Sequence, residues 1–497
     1  MTAMTSEDCD VIVVGGGGAG MAAASEAAQL GRNTVLLEKN AELGGSTAWS
    51  VGSISATNTE HQQAVGIVDH PDAHFEDLEL FAGAKANRDN RALRRILVDN
   101  TTEMMRWLQS AGLVFVGPHP EPPHRVSRMH NVLPNSRAFP RVLGRHCRKM
   151  GVDIRLNCEA EKLVVEQGRV VGVQVRSTSA RQVTIRARGG VVLAGGDYSA
   201  GTELKAELAG PDVANLEAVN PNATGKAIQI AREIGAEVIN GDLLRGPIMR
   251  FVPPRKESLL RRLPPNRTLA VAMKWSFDNL PQWIQRPIAM SFLTTALGPA
   301  AELFQEGAVL INKEGNRFCD ELELPGHAVA KQTDNEAFIV MDAAMARKFT
   351  EWPYFISTAP GVAYAYLDDY RRNRKDIFHH GETIDDLARA LRAPAANLQT
   401  ALAEERPNRT PLGDGPYIAL GPVKSYVVFT DGGLKVTEDH EVLGPTGTPI
   451  PGLYAAGSTG QGGLILEGHG HHLGWAFVSG RLAGRNAALN VAGQNTN

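Results

Sequence analysis

The chain has 497 residues, 43% of them hydrophobic, and its 51 Lys and Arg against 54 Asp and Glu leave a formal charge of −3. That length exceeds one ordinary core, so two or three domains are expected, and the near-neutral balance removes any electrostatic reason for a nucleic-acid partner. Four cysteines, at 9, 147, 158 and 319, form no CxxC pair, which argues against a disulfide framework, a zinc ribbon or an attached c-type haem.

Glu7, Asp8 and Asp10 stand just before an apolar strand at Val11–Val14, so there is no basic and then apolar leader, and a cytoplasmic location is expected. DVIVV, GGGGAG, MAAASEAAQLGR and TVLLEK then read as strand, turn, helix and strand, the opening of a parallel βαβ unit. Residues 72–112 read as helices closed by Ala111-Gly112, and the proline- and histidine-rich Pro118–Pro134 reads as a surface loop. From Gly151 the pattern turns to β, with hairpin turns expected at EQGR and at ARGG.

Between residues 248 and 417 the texture changes. Pro253-Pro254 and Pro264-Pro265 bracket RKESLLRR, read as a solvated helix face. The apolar segment Lys274–Phe304 reads as core, with a subunit interface (hence a homo-oligomer) or a membrane surface as alternatives. Its longest uncharged run, Pro287–Ala301, carries two prolines and a glycine and falls short of the ~20 residues a spanning helix needs, so no transmembrane span is expected. Strand language returns at Ser425–Val428 and runs through GGLKV to PGLYAAGS; no internal repeat is present. The expected architecture is therefore discontinuous: an α/β, Rossmann-like nucleotide-binding domain from 1–247 and 418–497, with an α+β capping domain inserted at 248–417.

Gly15, Gly17 and Gly20 satisfy G-x-G-x-x-G at a strand-to-helix turn. Such glycines allow the tight turn, close approach of the backbone to a pyrophosphate, and helix-on-strand packing. Gly18 and Ala19 open a helix whose free N–H groups and positive dipole end suit phosphates. Glu38, ending the second strand, is where a carboxylate holds a ribose hydroxyl.

Four stretches together, EKNAELGGSTA from Glu38, VVLAGGD from Val191, the Thr430-Asp431-Gly432-Gly433 turn and IPGLYAAGS from Ile450, resemble the flavoprotein superfamily of fumarate reductases, succinate dehydrogenases and 3-ketosteroid dehydrogenases. The capping region resembles it only through Gly315-Asn316-Arg317-Phe318 and the helix Asp385–Arg392. The resemblance implies a GR2-type FAD domain. Beyond the glycine turn, it implies cofactor contacts at Lys39, Gly45, Ser46, Thr47, Val51, Gly52, Ala160, Ala194, Gly195, Gly457 and Ser458. Members that attach flavin covalently carry a histidine in the loop that here reads GGSTA, so the resemblance implies noncovalent FAD. It also implies hydride exchange between flavin N5 and a carbon near an activating carbonyl, with a small-molecule carbonyl substrate and an electron acceptor that is a quinone, an electron-transfer protein or oxygen.

The stretch GLILEGHGHHLGW, residues 463–475, is where the chain departs from its relatives. In this superfamily the helix that follows points its N-terminus at the flavin, so His472 and Leu473 are implied to lend it backbone N–H groups. Fumarate reductases carry a dicarboxylate-binding arginine at the place of Glu467, a histidine at that of Val428, and an acid-catalytic arginine near Pro325-Gly326. All three are absent here, which disfavours fumarate. Ketosteroid dehydrogenases place a catalytic tyrosine at Leu466 or at Glu467 and a carbonyl-binding glycine at Gly470. The chain keeps the glycine and replaces the tyrosine, so Glu467 or His469 is expected to take the α-proton while the Gly470 N–H holds the carbonyl oxygen. Bracing of the loop by a Glu–His pair is the structural alternative. Tyr366, in GVAYAYLDDY with Tyr364 and Tyr370, is a further candidate, weighed against ordinary packing. His469, His471 and His472 point in divergent directions at a helix start, so no metal is expected of them.

The expected activity is dehydrogenation, introducing a C=C bond α,β to a carbonyl of a cyclic ketone or oxo-acid. An enone or enoate reductase running the reverse reaction, an oxidase or hydroxylase, and a flavin-binding protein without turnover stand as alternatives.

Overall fold

The computed structural model describes residues 6–177, 182–254, 264–281, 286, 290, 294, 297–359, 363–404 and 412–494. They fall into two compact units, one formed by Met1–Leu244, Pro265–Asp278 and Phe429–Asn497, the other by Arg245–Pro264 and Asn279–Val428.

In the first unit the strand Ser6–Val14 lies between Thr34–Leu37 and Gln182–Leu193, parallel to both. Asp153–Arg155 extends the sheet beyond Thr34–Leu37, and Pro449–Ala455 extends it beyond Gln182–Leu193, again in parallel. Val11–Val14 are all buried, as expected of a β-branched run covered on both faces. Val14 pairs with Leu37 and with Leu193, so three strands end together where Gly15 begins. That edge, at the carboxyl ends of parallel strands, is where open α/β sheets bind ligands.

Cys158–Glu166 and Arg169–Ser177 form the expected hairpin, with Gln167 and Gly168 at positive φ in its turn. The turn expected at ARGG is absent, because Gln182–Leu193 runs through it as one strand. The two glycines serve close approach instead. A Cβ at Gly189 would stand 2.3 Å from the Ala487 carbonyl oxygen, and one at Gly190 would stand 2.6 Å from that of Gly452.

The first helix, Gly18–Gln29, packs against the C-terminal helix, His471–Gln494. Gly480 and Gly484 let the backbones meet, since a Cβ there would lie 2.4 and 2.2 Å from the carbonyl oxygens of Ala19 and Ala23. Buried Glu26 fixes the register by accepting from Arg481 Nε at 2.8 Å and Arg485 Nη2 at 2.7 Å.

Pro118–Pro134 is not a surface loop. It contains the strand Met129–Leu133, which pairs with Ser53–Ser55 and Val114–His119, and it buries Glu121, His124, Arg128 and His130. Its charges go inside because they are paired: Arg128 bonds Asp69 through Nε and Nη2 at 2.7 Å each and also reaches Asp77.

In the second unit, Tyr417–Val427 pairs antiparallel with Ile248–Phe251, Ala337–Met341 and Phe378–Gly381, and Val309–Asn312 adds to Ala337–Met341. Met290, Leu303 and Phe304 sit in this unit's core, as expected for Lys274–Phe304. The other end of that segment differs, with Trp275 exposed on a helix. RKESLLRR lies outside the described residues. Among those described, no helix is long and apolar enough to cross a membrane.

Candidate active site

The glycine turn forms a cradle at the sheet's carboxyl edge. Gly15 sits at φ +109°, and a Cβ on Gly20 would stand 1.8 Å from the Gly15 carbonyl oxygen, so the turn tolerates no side chain there. Gly17 caps the first helix without a side-chain hydrogen bond, and Gly17, Gly18 and Ala19 bring the helix's positive dipole end into the wall of a cleft. Two side chains brace the loop: Thr47 Oγ1 accepts from Gly18 N at 3.1 Å, and Glu38 Oε2 accepts from Gly16 N at 2.7 Å.

A cleft opens beside this cradle. Of the expected cofactor residues, Gly15, Gly17, Gly18, Ala19, Glu38, Lys39, Gly45, Ser46, Thr47, Ala160, Ala194, Gly195, Gly457 and Ser458 line it. Gly20, Val51, Gly52, His472 and Leu473 are not in its wall. Gly20 acts through the turn, and Gly52 packs where a Cβ would stand 2.8 Å from Val132. Asn220, Asn222 and Lys226 line the cleft without any motif to announce them. Asn220 Nδ2 donates to Ser46 Oγ at 2.8 Å, and Lys39 Nζ donates to the Asn222 carbonyl at 2.7 Å and to Thr224 Oγ1 at 3.0 Å. Burial pushes the Lys39 ammonium below its ordinary pKa. A glycine cradle at a helix N-terminus and a carboxylate at the next strand's end fit the pyrophosphate and ribose of FAD.

The loop before the C-terminal helix gathers a second group. Glu467 accepts a 2.7 Å ion pair from Lys85, whose Nζ also lies 3.6 Å from Asp431 Oδ2. The Glu467 side chain is 18% exposed and that of Asp431 is fully buried. Burial raises the Asp431 carboxyl to about 6; Lys85 pulls it down and Glu467 pushes it up. Gln461 Nε2 donates to Asp431 Oδ1 at 3.3 Å, and His472 Nε2 lies 3.9 Å from the same oxygen, its ring packed on Phe429. Asp431 can therefore keep its proton to higher pH than an ordinary carboxyl.

His469 binds elsewhere. Its backbone N donates to Glu121 Oε1 at 2.8 Å, and its Nδ1 meets the same oxygen at 2.5 Å. Burial pushes the Glu121 carboxyl up, but the hydrogen bonds from His469 outweigh it and hold it low. Gly470, at φ +88°, packs on the strand Ser53–Ser55, where a Cβ would stand 2.4 Å from Ser55 N, and Ser55 Oγ donates to the His469 carbonyl at 2.8 Å. Glu467 and His469, neighbours in sequence, therefore face different partners. The three histidines diverge as expected, but His471 turns inward to meet His124 and His74. Tyr366 belongs to the second unit, where the Arg286 guanidinium lies 4.9 Å from its ring centre and its N donates to Asp369.

Lys85 and Glu121 carry no signature in the sequence, and nothing there marks Asp431 as an ionisable partner of Glu467. Asp431 stood in plain view as the second residue of the Thr-x-Gly-Gly turn. Lys85 lies in an unmarked 3₁₀ stretch, Gly83–Arg88, and Glu121 in the segment read as a surface loop.

Comparison with known proteins identifies the family. The model of the FAD binding domain family matches residues 10–252 and 291–465. The vinyl phenol reductase of Lactiplantibacillus plantarum is 26% identical over 98% of this chain and 98% of its own. The urocanate reductase of Eggerthella lenta is 27% identical over 97% of this chain and 75% of its own. Among solved structures, a flavocytochrome c3 fumarate reductase in its open conformation covers 98% of this chain and 79% of its own, at a TM-score of 0.74 and 25% identity. The 3-ketosteroid-Δ4-(5α)-dehydrogenase of Rhodococcus jostii RHA1 shares the fold, at a TM-score of 0.61 and 23% identity over 98% of both chains. The chain belongs to the FAD binding domain family, within the fumarate reductase and succinate dehydrogenase flavoprotein superfamily, and is an FAD-dependent oxidoreductase acting on CH–CH groups.

Proposed function

We propose that the chain reduces a C=C bond conjugated to a carbonyl or a phenol ring, in a substrate that is uncharged or singly charged, using noncovalently held FAD. The observation that carries this reading is the Lys85–Glu467–Asp431 group, a proton-holding cluster with more carboxylates than cations. FAD, when bound, would supply the hydride, at the β-carbon of an enone and at the carbon next to the ring of a vinylphenol. Glu467, the less buried carboxyl of the cluster, delivers the proton to the other carbon of the double bond, and Asp431, raised to about 6, resupplies it across the Lys85 ammonium. Run backwards, Glu467 takes the α-proton and the same residues serve a dehydrogenase.

The cluster's surplus of carboxylates repels a dicarboxylate, in keeping with the missing arginines. The vinyl phenol reductase, matched over nearly its whole length, supports the direction of reduction and an aromatic substrate. The test mixes the anaerobically reduced holoenzyme with 4-vinylphenol, a cyclic enone, urocanate and fumarate while flavin reoxidation is followed. Oxidation by the phenol or the enone, with fumarate slower by roughly 10²-fold or more, is expected. Fumarate as the fastest oxidant contradicts the reading.

A further inference from the structure

We propose that His74, His124 and His471 form a binding site for a divalent transition-metal ion, zinc first, that staples three separate segments of the first unit together. His74 lies on the helix Pro71–Ala82, His124 in the segment between the strands Val114–His119 and Met129–Leu133, and His471 opens the C-terminal helix. Each offers one ring nitrogen, and the three nitrogens lie within 4.8 Å of one another. His124 Nε2 and His471 Nε2 are 3.2 Å apart. Two imidazole nitrogens on one tetrahedral zinc, each at 2.0–2.1 Å, stand about 3.4 Å apart, so this pair is already spaced as ligands are.

The surroundings are those of a ligand set. Metal-bound histidines generally engage their second nitrogen in a hydrogen bond that fixes the ring. His471 Nδ1 meets the Glu467 carbonyl at 2.5 Å and His74 Nδ1 meets Thr57 Oγ1 at 2.6 Å. His74 Nε2 is buried with no hydrogen-bond partner among the described residues, and a buried polar atom of that kind calls for an ion or a water. All three rings are buried, and burial holds each in its neutral, ligating form. The rings of His74, His124 and His471 pack edge-to-face or tilted on one another, and Phe81 closes the cluster against His124 and His471.

His124 is the ligand that must change. Arg128 Nη1 donates to its Nδ1 at 2.9 Å, which places the ring proton on Nε2, pointing at His471. Ligation through Nε2 moves that proton to Nδ1, which breaks the bond from Arg128 and requires the Nδ1–H to turn to Asp77 Oδ2, now 3.7 Å away. Beside the site Asp69 and Asp77 are paired with Arg128 and with Arg125, whose Nε lies 2.7 Å from Asp77 Oδ1. Three imidazoles leave a fourth position for water or another small ligand, a donor set that favours zinc, cobalt or nickel over calcium or magnesium. Because His471 directly follows the Glu467–Gly470 loop, the ion would hold that loop in place, as a positioning element and not as a reactant.

The test dialyses the full-length holoprotein against zinc or cobalt(II), removes free metal, and measures metal per chain together with flavin content. About one zinc per flavin, and cobalt(II) absorption of the four-coordinate kind, are expected. Both should be lost in His74→Ala and His124→Ala while flavin is retained. Thr57→Val, which keeps all three ligands, should weaken zinc affinity about 10- to 100-fold, and it serves if the histidine variants do not fold. Wild-type protein with no metal above background after dialysis overturns the proposal, as does a stoichiometry unchanged in the variants.

Discussion

The first unit holds two candidate functional regions built on opposite plans. In the dinucleotide cradle the work is done by the backbone: absent side chains at Gly15 and Gly20, a bare helix end at Gly17, and local braces from Thr47 and Glu38. Around Glu467 it is done by side chains from distant stretches: Lys85 from a 3₁₀ turn, Asp431 from a strand-end turn, Glu121 and His124 from a proline-rich segment. A backbone device leaves its mark in consecutive residues, whereas a convergent device leaves none until the chain is folded.

The sharpest break between the two regions is Gly20→Val. Its Cβ would meet the Gly15 carbonyl oxygen at 1.8 Å, so the purified protein is expected to carry essentially no flavin, read from its visible absorption. Glu467→Gln, by contrast, should keep its flavin and lose turnover by about 10²-fold or more; unimpaired turnover removes Glu467 from the proton path.

Lys85→Met sharpens the second region further. Losing the ammonium that positions Glu467 should cost roughly 10- to 10²-fold in turnover. Because Lys85 pulls the Asp431 carboxyl down, the variant's pH inflection should also move upward. In the wild type, reductive turnover should fall as pH rises through about 6, where Asp431 gives up its proton; a pH profile of Asp431→Asn should lack that limb.

The smallest expected effect is on stability. Burial raises Asp197 to about 6, and its Oδ1 accepts from Ser199 N at 2.8 Å. A carboxyl whose folded pKa lies above its unfolded value binds its proton more tightly when folded. Its contribution is therefore present in acid and fades as pH rises from about 4 to about 6. Thermal melts of Asp197→Asn across that window should show a shallower decline than the wild type.

What could be read in the sequence follows the same division. The βαβ opening, the glycine turn, Glu38 and the late strand with Gly457-Ser458 were legible because each is a contiguous pattern with a local cause. ARGG was misread because glycine marks a turn and a close backbone approach equally well, and only the Ala487 and Gly452 carbonyls decide between them. Pro118–Pro134 was misread because its charges look solvated until Asp69 and Asp77 arrive from another segment. Glu467 was singled out by its departure from relatives, but its partner Lys85, 382 residues away, had no local signature.

On the proposed mechanism Glu467 moves the substrate proton while the glycine cradle holds FAD independently of it. Stopped-flow reoxidation of the anaerobically reduced holoenzyme by 4-vinylphenol or a cyclic enone, compared between wild type and Glu467→Gln, tests it most directly. Equal flavin content with reoxidation slowed about 10²-fold or more in the variant is predicted. Equal rates in the two proteins contradict that mechanism.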